Sequence, residues 1–333
     1  MKKSVIAATA AAILVAGGGA VYATGVYDNW RDGRALEAGC RGLVDPVEMK
    51  RALGAERVSG KGTTGGGCQA FDPGGTNASV TISLQRGADP ESVVVNADRI
   101  LDQHPAGVLV PVSGGWPALV SAGSGTESYA TAFLPCGKGR SDDLLLSLSA
   151  VRARSTGTVQ ERRDALAALV TRAVERAADE QHCVLSANEE KKGVSSEAFA
   201  RLKQAGEASG SCRGIRYPAY ETEADGSAPV EQCLLADPDG RQTFRLAAYY
   251  GPYPKAPRRD PHRNPHDYVG RSGDSGQRSW TTANCPIGEA LYTLEPVRPQ
   301  AAASERERAA LRRFAAESAR RHGCGTPAEA ADR

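Results

Sequence analysis

ERRDALAALVTRAVERAADEQHC, Glu161 to Cys183, and ERERAALRRFAAESARRHGC, Glu305 to Cys324, are Ala/Arg/Glu-rich stretches of helical pattern that each end on a cysteine. Working back from them, the same landmarks recur in the same order. A strand-like segment ending in cysteine and then a second strand precede each helix: SYATAFLPC and DLLLSLSAVR in one case, SWTTANC and EALYTLEPVR in the other. Further upstream stand Cys40-Arg41-Gly42-Leu43 and Cys212-Arg213-Gly214-Ile215. Four ordered matches speak against coincidence in a low-complexity composition, and we read a diverged tandem duplication. The fold class that follows is α+β: two repeats, each an antiparallel sheet backed by its C-terminal helix, after an N-terminal apolar helix. The expected boundaries are 28–183 and 212–324, with 184–211 as a linker holding a short helix at Ser195 to Ala208 and 325–333 as a disordered tail.

Each repeat carries four of the eight cysteines, at 40, 68, 136 and 183 and at 212, 233, 285 and 324. No Cys-x-x-Cys pair occurs, which argues against structural zinc and for disulfides. Four cysteines allow three pairings per repeat. First with fourth and second with third is the favoured one: Cys40–Cys183, Cys68–Cys136, Cys212–Cys324 and Cys233–Cys285. The second and third cysteines sit on strands that could be sheet neighbours. Linking first to fourth closes nearly the whole domain, an unfolded-state constraint on the order of 4 kcal/mol.

Met1-Lys2-Lys3 is followed by an uncharged, largely apolar run from Ser4 to Tyr27. Residues 1–27 read either as a signal peptide, with small residues at Ala20 and Ala23 for cleavage, or as a transmembrane anchor held by the two lysines. Both place the rest of the chain outside the cytoplasm, where disulfides persist. The 333 residues carry 41 basic and 39 acidic side chains, a formal charge of +2, so the one-sided basic excess of a nucleic-acid binder is missing. The Arg-, Ala- and Gly-rich composition resembles that of actinobacterial proteins.

Within repeat 1, Asp45-Pro46-Val47-Glu48 is an N-cap signature predicting a short helix to Leu53-Gly54. A Gly-rich loop, Gly60 to Gly67, then leads to a strand at Cys68, and VTISLQ from Val80 alternates as a half-buried strand. Ala88 to Gln103 reads as a helix. Strands follow near Gly107 to Ser113, Tyr129 to Pro135 and Leu144 to Val151. Repeat 2 keeps strands at Gln232 to Ala236, Thr243 to Tyr250, Trp280 to Cys285 and Ala290 to Leu294, but loses the first helix.

Cys40, Leu43, Pro46, Glu48, Leu53, Gly54 and Cys68, with Phe71 loosely in an aromatic place, resemble the small actinobacterial envelope-lipoprotein domains of unknown function. Their pattern is Cys-x-Leu-Leu-x-Pro-x-Glu, Leu-Gly, then Cys-x-Trp before a strand. The match spans about 50 residues. This chain departs from it in lacking a lipid-anchor cysteine and in having a third and fourth cysteine per repeat. The resemblance implies an envelope location and carries no catalytic residue.

Gly273-Asp274-Ser275-Gly276 resembles the nucleophile motif of chymotrypsin-like proteases, with Gln277 in place of the second glycine. A serine nucleophile needs a histidine base and an orienting carboxylate. The only echo of the family's histidine motif is His182-Cys183 at a helix end, matched in repeat 2 by Gly323-Cys324. Ser275-Gly276-Gln277-Arg278-Ser279-Trp280 aligns with Ser124-Gly125-Thr126-Glu127-Ser128-Tyr129, so the motif reads as a turn. His262, His266 and Asp267 are metal-ligand types within a short span, but their Pro- and Arg-rich loop reads as solvated. Tyr249, Tyr250 and Tyr253 read as packing a strand end rather than as an exposed aromatic surface. Trp116 and Trp280 read as core or sheet residues. The arginines of the last helix, Arg306, Arg308, Arg312, Arg313, Arg320 and Arg321, read as a solvated face, with contact to acidic envelope polymers as the rival.

The resulting expectation is a non-catalytic extracytoplasmic binding or structural module with no catalytic residue, no metal and no cofactor. Its partners would be an envelope protein or polymer, with membrane contact only through the N-terminal segment and no nucleic acid. The alternative is a metal-dependent hydrolase using the His262/His266/Asp267 loop.

Overall fold

The computed structural model describes residues 25–64, 67–86, 109–122, 125–136, 143–152, 157–185, 193–259, 267–297 and 302–329. The apolar run before Gly25 and the helix expected at 88–103 lie outside the described residues. Among the described residues, no helix is long and apolar enough to cross a membrane.

Repeat 1 runs α1 (Val26–Cys40), α2 (Pro46–Leu53), β1 (Ser59–Gly62), β2 (Cys68–Phe71), β3 (Ser79–Arg86), β4 (Val110–Pro111), β5 (Ala118–Ala122), β6 (Glu127–Leu134), β7 (Leu144–Val151) and α3 (Val159–Gln181). Repeat 2 runs β8 (Ala219–Glu221), β9 (Val230–Ala236), β10 (Gln242–Tyr249), α4 (Lys255–Arg259), β11 (Ser272–Asp274), β12 (Ser279–Cys285), β13 (Gly288–Pro296) and α5 (Glu305–Arg321). The first sheet has the order β1-β2-β3-β7-β6-β5-β4 and the second the order β8-β9-β10-β13-β12-β11, so six strands correspond one for one. All the strand pairs are antiparallel. Each sheet is followed by a helix, as the repeat pattern requires.

The helix starts are written in the sequence. Asp45 Oδ1 accepts from the Val47 and Glu48 amides at 2.7 and 3.2 Å, and Gly54 ends α2 at φ 65°. Thr158 with Glu161 and Ser304 with Glu307 form capping boxes on α3 and α5, satisfying amides that the first turn leaves without partners.

Strand alternation assigns the faces. Ala130, Ala132 and Leu134 of β6 and Leu144, Leu146 and Leu148 of β7 join Leu166, Leu169, Val170 and Val174 of α3 in one core. Leu246, Ala248, Tyr292 and Leu294 join Leu311, Phe314 and Ala315 of α5 in a second. The opposite faces meet each other. Leu119, Leu145 and Phe133 from the first sheet pack with Val230, Ala247, Tyr249, Trp280 and Leu291 from the second. The Thr131 and Tyr253 hydroxyls lie 3.0 Å apart, and the Leu109 amide donates to Gln232 Oε1 at 3.2 Å. The layers therefore run helix, sheet, sheet, helix, with both repeats sharing a central seam.

The described bridges are Cys40–Cys68, Cys136–Cys183, Cys212–Cys233 and Cys285–Cys324, and no cysteine is free. The expected pairing of Cys40 with Cys183, Cys68 with Cys136, Cys212 with Cys324 and Cys233 with Cys285 is corrected. Two strands, β3 and β7, lie between β2 and β6, as β10 and β13 lie between β9 and β12. At a strand spacing of about 4.8 Å, the second and third cysteines of each repeat stand roughly 14 Å apart, beyond disulfide reach. First with second, and third with fourth, bring Cα atoms to 5.0, 4.4, 5.2 and 4.1 Å.

Two expectations about irregular segments are also corrected. Residues 195–208 form turns, not a helix; Lys203 bridges to Ala219, so the supposed linker extends the edge of the second sheet. Residues 325–329 are ordered along β12: the Gly325 and Ala328 amides donate to the Asn284 and Thr282 carbonyls at 2.8 and 2.9 Å.

Candidate functional site

Where the ends of the two sheets meet, a cleft of about 250 Å³ opens between Pro117, Phe133 and Pro135 of repeat 1 and Ala228, Pro229, Pro286 and Ile287 of repeat 2. Tyr250 and His322 also line it. The walls are apolar because prolines flank the strands there: Pro117 opens β5, Pro135 follows β6, Pro229 precedes β9 and Pro286 turns β12 into β13. Ile287 is a large apolar side chain left 48% exposed, at the rim.

The two polar rings are held by a buried network. Tyr250, next after β10, alternates onto the α5 face, and its ring stacks on His322 at 3.6 Å and 13°. Its hydroxyl lies 2.5 Å from Ser318 Oγ, and Ser318 in turn bonds to the Glu231 carboxylate. Glu231, 1% exposed, receives Arg321 Nε at 3.1 Å and Nη2 at 2.8 Å, and His322 Nε2 lies 3.8 Å away. Burial works to raise the Glu231 carboxyl, but the hydrogen bonds and charge of Arg321, with His322 alongside, outweigh it and hold the group below its ordinary range. Burial pushes the Tyr250 phenol far up, and that of Tyr292 up to about 12. Such groups hold shape. A carboxylate locked by a guanidinium is a poor proton donor, a phenol this strongly raised is no base at neutral pH, and Ser318 is fully buried on the inner face of α5.

The GDSG motif is a hairpin turn, and every residue in it has a structural task. Gly273 pairs across the ladder with Trp280, whose indole lies over it; a Cβ there would stand 2.2 Å from the ring. Asp274 accepts from the Gly276 amide at 2.6 Å, the Ser279 hydroxyl at 2.7 Å and Arg308 Nε at 2.7 Å, tying the turn to α5. Burial alone would raise its carboxyl, and these donors hold it low. Ser275 is exposed, with its amide donating to the Arg278 carbonyl at 2.8 Å, and Gly276 supplies φ 88°. Gly125, the counterpart of Gly276, stands between β5 and β6, and Ser124 lies outside the described residues.

His262 and His266 lie outside the described residues. Asp267 is 4% exposed and its carboxylate accepts from Arg278 Nη1 at 3.0 Å. Among the described residues, no group of three or more His, Cys, Asp and Glu is placed to hold a metal. Tyr249, Tyr250 and Tyr253 are all buried, as are Trp116 and Trp280, in keeping with the packing readings. On α5, Arg308, Arg312, Arg320 and Arg321 are each engaged by a carboxylate, so its arginines are not a uniformly solvated face. Glu231 and Arg321 escaped the sequence reading as a pair. The signal was present: alternation puts Glu231 on the same face as the buried Cys233 and Leu235, where a carboxylate requires a partner.

Fold and cleft define a disulfide-bonded α+β protein of two units sharing one topology, its sheets face to face. Neither a family model nor a curated protein sequence matches the chain. Among solved structures it aligns with the crystal structure of DynU16, from the dynemicin biosynthetic locus, at 10% identity, over 88% of this chain and 92% of that one, with a TM-score of 0.15.

Proposed function

We propose that the protein is a non-catalytic extracytoplasmic module of the cell envelope that holds a compact, mainly apolar ligand in the cleft between its repeats, with residues 1–27 as leader or anchor. The observation that carries the reading is the cleft itself: apolar walls from both repeats over a flat Tyr250–His322 stack. Concave, mostly apolar sites with a few fixed polar groups at a junction of domains are where small ligands bind. Behind the stack, the Tyr250 and Ser318 hydroxyls, the Glu231 carboxylate and the Arg321 guanidinium bond to one another in a chain, which suits binding better than turnover. The four bridges support a location where disulfides persist.

The test is an NMR screen of the oxidised protein with small aromatic and alicyclic fragments. Hits should shift the methyl resonances of Ile287 and the ring resonances of Phe133 and His322 together, and Ile287→Asp should abolish them. Hits scattered over the surface, or indifferent to that substitution, would defeat the proposal.

A further inference from the structure

Repeat 1 inserts α2 between its Cys-Arg-Gly turn and β1, and that helix packs on α3 with Met49, Ala52 and Leu53 buried. Repeat 2 passes from Cys212-Arg213-Gly214 to β8 through residues 215–218 alone, too short a connection to form a helix. The corresponding place beside α5 is left open, as a groove of about 580 Å³ between the Gly214-to-Tyr217 turn and Arg306, Ala309, Ala310 and Arg313.

The groove is cationic and its cations are positioned. The Arg306 guanidinium lies 4.3 Å over the Tyr217 ring, and its Nη2 donates to the Arg216 carbonyl at 3.2 Å. Tyr217 is itself fixed by donating to Glu307 Oε1 at 2.6 Å. Among the described residues, neither Arg216 nor Arg306 has a carboxylate within ion-pair distance, unlike Arg308, Arg312, Arg320 and Arg321 of the same region. Arg313 stands 3.6 Å from Glu317, which Arg320 shares. Repeat 1 shows what complements such a wall. Glu48 of α2 has its carboxyl held above the ordinary range by burial and by Asp45, and the charge of Arg172 on α3 pulls the other way. Counted from the closing cysteines, Arg172 and Arg313 hold the same position.

We propose that this groove docks a short acidic helical segment of a partner protein, lying in repeat 2 as α2 lies in repeat 1, with its carboxylates toward Arg216, Arg306 and Arg313. The alanine floor, Ala309 and Ala310, favours an amphipathic helix over a fully hydrated polyanion, because it offers a surface for an apolar stripe beside the charges.

The test uses the full oxidised chain and a fluorescein-labelled, end-blocked peptide of the Asp45–Gly54 sequence carrying Lys50→Glu and Arg51→Glu, followed by fluorescence anisotropy. Saturable binding is expected, weakened about tenfold by Arg306→Gln with Arg313→Gln and also by raising salt. Arg312→Gln, which removes a side chain already paired with Glu305, should leave it unchanged. Arg306 and Arg313 are exposed, so the double variant keeps its fold. Absence of saturable binding, or binding indifferent to the double variant, overturns the proposal. So does linear polyphosphate of matched charge binding as tightly and with the same dependence on Arg306 and Arg313, since the groove would then be a general polyanion surface. None of these outcomes bears on the cleft between the repeats.

Discussion

Glu231→Gln isolates the charge at the centre of the network behind the cleft. Glu231 is 1% exposed and the Arg321 side chain 11% exposed, and the two make a pair of hydrogen bonds at 3.1 and 2.8 Å. Glutamine keeps the shape but leaves the guanidinium without its counter-charge in a buried place. Breaking a buried pair from one side costs about 3–5 kcal/mol, a large fraction of the stability of a typical domain. Replacing both partners, as Glu231→Leu with Arg321→Met, should restore most of that, to within about 1 kcal/mol of the parent, because no lone charge remains. The sign of the pH dependence follows from the depressed carboxyl. A group held below its unfolded value contributes stability that is fully present above about pH 4 and is lost as pH falls through its folded value. The parent should therefore lose stability with acid more steeply than Glu231→Gln, and the gap between them should narrow below about pH 4. Urea unfolding of the oxidised proteins from pH 7 down to pH 3 measures this. A Glu231→Gln penalty under about 1 kcal/mol at pH 7, or a gap that widens in acid, would refute the reasoning.

Non-reducing peptide mapping should recover Cys40 with Cys68, Cys136 with Cys183, Cys212 with Cys233 and Cys285 with Cys324; a linked Cys68–Cys136 peptide would contradict the strand order. Leu291→Ala, in the layer between the sheets, should cost about 2–4 kcal/mol and lower one shared calorimetric transition, whereas two separately moving transitions would show that the repeats melt independently. Asp274→Ala removes three accepted hydrogen bonds and should cost about 1–3 kcal/mol, while Ser275→Ala should change neither stability nor any activity found; the reverse ranking would restore Ser275 as a functional residue. Metal analysis of the purified protein should find no stoichiometric metal; bound metal abolished by His262→Ala with His266→Ala would support a metal-dependent hydrolase instead.

The two sheets each followed by a helix, the long strands and the three capped helices α2, α3 and α5 were legible because their signals are local: an N-cap, an alternation, a helical stripe. Strands of a few residues, β1, β8 and β11, carry too little alternation to be recognised, and β1 lies partly in a Gly-rich stretch that reads as loop. The cysteine pairing failed for a different reason. Which strands are neighbours depends on the return of β7 to β3 and of β13 to β10, long-range pairings that no local pattern records. The GDSG motif was read correctly from the other repeat, although the part played by Gly273 emerges only once Trp280 is seen across the ladder. The cleft was not legible at all, because its walls come from both repeats and depend on the sheets meeting face to face.

The four bridges close chain segments of 28, 47, 21 and 39 residues, and none links one repeat to the other. A molecule pulled from its ends while oxidised therefore cannot yield its full contour. On the order of 450 Å of chain, at about 3.3–3.6 Å per residue, stays locked in closed loops even after every strand has parted. Reduction would release that hidden length, so the redox state of its surroundings sets how far the chain can stretch under load.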